Sequence, residues 1–137
     1  IPDYLMKFRK PGEAKPLSNV EFSNEEWIRA ASPIWDWVEE SNTLNRQTKQ
    51  LTEGDTKHIA PLQLDVIDTC IRLWSARGEH VLSPFAGIGS EGVMAVRNGR
   101  RFTGIELKDA YFLAAAQNIR REEREKGIQM TFLGRES

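Results

Sequence analysis

Ten residues in the second half of the chain, Ser83-Pro84-Phe85-Ala86-Gly87-Ile88-Gly89-Ser90-Glu91-Gly92, have the makings of a cradle for a small polar molecule. Glycines let a backbone turn sharply and come close to a ligand where a Cβ would collide. A helix starting at Ser90 would add unpaired N–H groups aimed at a polar or anionic ligand group. Seventeen residues after Gly89 stands Glu106, at the end of the apolar run Phe102-Thr103-Gly104-Ile105. An acid near that spacing accepts hydrogen bonds from ribose hydroxyls in nucleotide-binding α/β units. Taken alone, a glycine pair is usually a tight turn and a strand-end glutamate is usually solvated. Together, in register across one strand–turn–helix–strand unit, they point to an adenosine-containing cofactor.

Such a loop works only if rigid elements hold both of its ends. His80-Val81-Leu82 reads as a strand leading into it, and Ser90 to Asn98 as a helix leaving it, closed by Gly99. Phe102 to Ile105 is a second strand. Asp109 is placed to cap a long helix with Phe112, Ala115, Ala116 and Ile119 on its apolar face, ended by Gly127. Met130 to Leu133 begins a third strand. Ahead of the loop, Pro61 stands where a helix would start; Leu62, Val66, Cys70 or Leu73, and Trp74 follow near the 3.6-residue period until Arg77-Gly78. Helix, strand, glycine turn, helix, strand, helix, strand is alternating α/β, which predicts a parallel sheet with right-handed crossovers.

The first half is less regular. Residues 4 to 9 alternate loosely around Tyr4 and Phe8 and predict a short strand, broken by Lys10-Pro11-Gly12. Residues 13 to 57 are acidic, with five Lys/Arg against nine Asp/Glu. Ser23 and Glu26 form a capping-box pattern ahead of Trp27 and Ala30, and Pro33 ends or bends that helix. Asn45 to Lys57 is polar and reads as a loop, and the mixed-sign run Arg120 to Lys126 reads as a solvated helix face.

The 137 residues fit one domain or part of a larger one, with 39% hydrophobic and 28% charged residues. No run approaches the roughly 18 apolar residues of a membrane span. The single cysteine, Cys70, excludes a disulfide framework and implies a reducing, cytoplasmic setting. His58 and His80 with one cysteine make no zinc site. The net charge of -1 gives no global attraction to nucleic acid. Gly87-x-Gly89-x-x-Gly92 formally satisfies the dinucleotide fingerprint, so an NAD(P)-binding oxidoreductase domain is a rival reading. Against it, Ser83-Pro84-Phe85-Ala86 separates the strand from the glycines, and a helix precedes the strand that usually opens such a domain.

The loop resembles the Asp-Pro-Phe-x-Gly-x-Gly segment of the adenine-N6 and cytosine-N4 DNA amino-methyltransferases. His58-Ile59-Ala60-Pro61-Leu62-Gln63-Leu64 is similar to the segment preceding it in the permuted group, whose cofactor half comes last. Phe102 to Leu107, with Tyr111-Phe112, resembles the next family segment, and Tyr4 to Lys10 resembles the strand closing the catalytic half. The resemblance covers residues 58 to 120 well, residues 1 to 12 passably and the middle hardly at all. It implies part of a doubly wound, Rossmann-like S-adenosylmethionine-dependent methyltransferase sheet, divided as 1–12 (end of the catalytic half), 13–57 (spacer or target-recognition remnant) and 58–137 (cofactor subdomain).

It further implies that Ser83, Pro84, Phe85, Gly87, Gly89 and Ser90 line the cofactor, that Glu106 binds its ribose beside Leu107, and that His58, Ile59 and Pro61 lie near its methionine end. Two departures stand out: Ser83 replaces the usual Asp, removing a carboxylate near the ammonium end, and the first segment is short and lacks the Lys before its Pro. The Asp/Asn/Ser-Pro-Pro-aromatic loop that binds the target amino group of a flipped base is also absent. Ser32-Pro33-Ile34-Trp35 lacks the second proline and lies on the wrong side of Tyr4 to Lys10, so Trp35 and Trp37 read as packing residues. The resemblance therefore implies double-stranded DNA as the parent protein's partner, a catalytic loop upstream of Ile1, and a fragment that self-associates or needs its missing half. A non-catalytic DNA-binding or assembly module is the third reading.

Overall fold

The computed structural model describes residues 3–13, 22–44 and 60–127. Within these, helix α1 (Asn24–Ala30) starts at the capping box read from the sequence. The Ser23 Oγ accepts the Glu26 N–H at 3.2 Å, and the Glu26 carboxylate accepts the Ser23 N–H at 2.8 Å. Glu26 also accepts from Arg72 at 3.1 Å, which ties α1 to helix α2 (Leu64–Trp74). The Arg72 guanidinium lies 4.1 Å from the centre of the Phe22 ring, so the same arginine covers an aromatic face.

Strand β1 (His80–Ser83), helix α3 (Ser90–Arg97), strand β2 (Arg101–Gly104) and helix α4 (Asp109–Lys126) follow. The strands pair in parallel, His80 opposite Arg101 through Ser83 opposite Gly104, so β1-α3-β2 is one crossover unit. Helix α3 is its centre: Ser90 and Gly92 to Val96 are all buried. Leu64, Ile67 and Ile71 of α2 pack in one cluster with Ile88, Val93 and Ile119, and Val81 and Phe102 of the sheet lie against it. Arg100 is buried, and its guanidinium donates to the Ser75 carbonyl at 2.6 Å and to the Ser75 Oγ at 3.2 Å, fixing the α3–β2 turn to the end of α2.

Several sequence-based expectations need correction. Residues 4–9 form no strand; Tyr4, Met6 and Phe8 are exposed, and neither described strand pairs with them. Helix α2 starts at Leu64 rather than at Pro61, because the Leu64 N–H already donates to the Asn42 carbonyl at 2.8 Å. Its buried residues are Leu64, Ile67 and Ile71, together with Thr69, while Leu62 and Trp74 are exposed. Lys108, not Asp109, is the N-cap of α4. The buried face of α4 is Ala114, Ala115, Asn118, Ile119, Glu122 and Glu123, so Phe112 lies off it and the Arg120–Lys126 run is not wholly solvated. Glu122 can be buried because Arg97 of α3 donates to both of its oxygens, at 3.0 and 2.8 Å. The third strand at Met130–Leu133 and the polar loop at Asn45–Lys57 lie outside the described residues.

The two-stranded sheet leaves one edge of β1 unpaired among the described residues, and Leu82 on its bare face is 62% exposed. Parallel sheets ordinarily have both faces covered. Removing the charge that neutralises a buried carboxylate is the sharpest probe of the α3–α4 seam. Arg97→Ala leaves Glu122 buried without its partner and should destabilise the chain by about 2–3 kcal/mol in urea unfolding.

Candidate cofactor site

The loop joining β1 to α3 is held at four points. The Ala86 N–H donates to the Ile105 carbonyl and the Gly89 N–H to the Ala86 carbonyl, at 2.9 and 2.8 Å. Buried Asn118 of α4 donates to the Ile88 carbonyl at 3.0 Å. The fourth point is Glu106, whose Oε2 accepts the Gly87 N–H at 2.9 Å while its Oε1 accepts the Lys108 N–H at 2.9 Å. The carboxylate therefore turns toward the glycine bend and has lone pairs left for further donors.

Gly87 and Gly89 both adopt positive φ, 53° and 88°, in the left-handed region that costs other residues energy. They differ in surroundings. A Cβ on Gly87 would meet nothing within 4 Å, so that side of the loop is open, whereas a Cβ on Gly89 would sit 3.0 Å from the Ala115 Cα. The loop thus presents an open face outward and a tightly packed face to α4. Phe85 and Leu107, just beyond the ends of the two strands, are 86% and 95% exposed.

Residues 3–117 match the N6/N4 DNA methylase family. The chain belongs to this family. It is 30% identical over 118 residues to the type II methyltransferase M.BglI of Bacillus subtilis, covering 85% of this chain and 30% of that protein. It is 32% identical over 75 residues to the type II methyltransferase M2.DpnII of Streptococcus pneumoniae, covering 55% of this chain and 28% of the other. Among solved structures, the DNA modification methylase TTHA0409 of Thermus thermophilus, crystallised with S-adenosyl-L-methionine, superposes with a TM-score of 0.61 at 28% identity, over 83% of this chain and 41% of that one. The chain thus spans under a third of those two curated relatives' length.

In this chain Ser83, Pro84, Phe85, Gly87, Gly89, Ser90, Glu106 and Leu107 all fall on one rim, at the carboxyl ends of the parallel strands, where ligands bind in open α/β sheets. Ser83 is buried at the end of β1. Pro61 is half-buried ahead of α2, and His58 and Ile59 lie outside the described residues. Trp35 and Trp37 pack on each other at 5.6 Å, and Arg29 covers the Trp37 ring at 4.4 Å. Cys70 on α2 is no activated nucleophile, since burial pushes its thiol up to about 11. A cavity of about 250 Å³ lies elsewhere, between α1, α2 and α3, and Glu26, Asp65, Asp68, Arg72 and Arg97 on its wall are all engaged with other protein groups.

Sequence reasoning missed Asn118, because an asparagine inside a helix carries no local signal of what it will hold. The different surroundings of the two glycines give a direct test of this geometry. Gly89→Ala, with backbone strain and a collision with Ala115, should cost about 2–4 kcal/mol in thermal unfolding, and Gly87→Ala about 1 kcal/mol.

Proposed function

We propose that this chain is the S-adenosylmethionine-binding part of a DNA methyltransferase that acts on an exocyclic amino nitrogen, adenine N6 in preference to cytosine N4. The observation that carries the reading is the Glu106 carboxylate turned onto the Gly87 N–H at the open side of the glycine bend. The residues fit such a cofactor: the open face at Gly87 leaves room for the sugar, and Glu106 keeps lone pairs for its hydroxyls. Phe85 and Leu107 would cover the adenine, and Ser90 would hold the polar end at the start of α3. His58, Ile59 and Pro61 would lie near the methionine end. The bound cofactor would supply an electrophilic methyl group on sulfonium. The family match and the cofactor in the TTHA0409 crystal support this assignment.

Turnover needs a group that accepts the target amino protons and a platform for the flipped base. No Pro-Pro-aromatic sequence occurs in these 137 residues, so that loop and the main DNA contacts come from outside them. On this reading residues 1–12 close the catalytic half, residues 13–57 connect the halves, and residues 58–137 hold the cofactor. Alone, the chain binds cofactor without turnover. Its unpaired β1 edge is a template for association. Light scattering on the isolated chain should therefore give a mass above the monomer's 15.6 kDa; a compact monomer would refute this.

Calorimetric titration with S-adenosylhomocysteine and with NAD separates the readings. Heat from the first alone supports methyl transfer, heat from NAD supports an oxidoreductase domain, and silence from both supports an assembly module. Glu106→Ala should weaken S-adenosylhomocysteine by roughly 1–3 kcal/mol through lost ribose hydrogen bonds, and unchanged affinity would remove Glu106 from the site.

A further inference from the structure

Two carboxylates flank the glycine loop, and they differ in what occupies them. Glu106 accepts a backbone N–H on each oxygen. Glu91, in the first turn of α3, is half-buried, and among the described residues its carboxylate meets only its own backbone N–H. Burial raises its pKa above the ordinary glutamate value. A half-buried carboxylate with no donor besides its own backbone N–H has lone pairs left for a further N–H donor or a positive charge.

The direction Glu91 faces follows from helix geometry. Glu91, Met94 and Asn98 are spaced i, i+3, i+7 and share one stripe of α3. That stripe looks at α2: Asn98 donates to Asp68 at 2.7 Å, and Met94 shares a cavity wall with Leu64 and Asp68. Further along, Arg100 reaches Ser75 at the end of α2, so the two helices run side by side in the same direction. One turn back from Met94, the stripe therefore passes the start of α2 and faces residues 60–63, which enter it. By this periodicity Glu91, in the first turn after the glycine loop, lies on the face of α3 directed toward that segment.

We propose that Glu91 is a cofactor-binding residue whose carboxylate accepts the α-ammonium of S-adenosylmethionine. The proposal rests on the cofactor reading above. It follows from the chemistry of the ligand, whose amino-acid end carries three N–H donors and a positive charge at the far side of the sulfur from the ribose. With Glu106 at the sugar and Ser83 uncharged at the end of β1, Glu91 is the carboxylate placed for that cation.

The test uses the full chain and two ligands, S-adenosylhomocysteine and 5′-methylthioadenosine, which shares the adenosine and the sulfur but lacks the amino-acid end. Glu91→Gln keeps the shape and should not lower the melting temperature. Calorimetry should show it weakening S-adenosylhomocysteine by roughly tenfold or more while leaving 5′-methylthioadenosine within about twofold, the loss expected for a charge-assisted hydrogen bond. Glu106→Ala should weaken both ligands. Equal loss of both ligands in Glu91→Gln, or no loss of either, overturns the assignment. If the unmodified chain binds neither ligand, the cofactor reading itself fails and the role of Glu91 falls with it.

Discussion

The arrangement depends on one close approach. Gly89 lies so near α4 that a side chain there would collide with the backbone of Ala115. That contact lets the loop turn back on itself, start α3 and still lie flat against the helix behind it. With the rear of the loop fixed by Gly89 and by the Asn118 bond to Ile88, its front can carry an N–H, that of Gly87, in a defined position. Glu106 can receive that N–H only because β1 and β2 run parallel and end at the same level. Sheet register, loop conformation and carboxylate orientation are thus parts of one constraint.

Around this constraint the rest of the chain supplies support. Helix α3 is buried on most sides, and polar anchors at its C-terminal end join apolar contact in fixing its neighbours. Arg97 bonded to Glu122 and Arg100 bonded to Ser75 do so, each charge close to hydrogen-bonding partners. The price is that α4 buries acids along the face nearest its C-terminal end. The opposite side of the sheet is treated differently: Leu82 and one edge of β1 are left uncovered among the described residues.

The local devices were legible in the sequence because each is decided within a few residues. The Ser23–Glu26 capping box, the glycines that need left-handed backbone, the two short strands and Gly127 at the end of α4 all depend on neighbours in the chain. The spacing from Gly89 to Glu106 was legible for the same reason, since one crossover fixes it.

What the sequence left open was settled by groups distant along the chain. The apolar pattern of α4 placed Ala115 and Ile119 correctly, but the burial of Glu122 on the same face depends on Arg97 of α3, which donates to both carboxylate oxygens. The start of α2 was decided by the Asn42 carbonyl, which takes the Leu64 N–H before any residue around Pro61 becomes helical. Tyr4 to Arg9 has the composition of a strand but forms none, because a strand exists only through hydrogen bonds to another and neither described strand pairs with it. Sequence determined the conformations that single residues permit, and tertiary structure decided which donors, acceptors and faces found partners, since those depend on segments that only folding brings together.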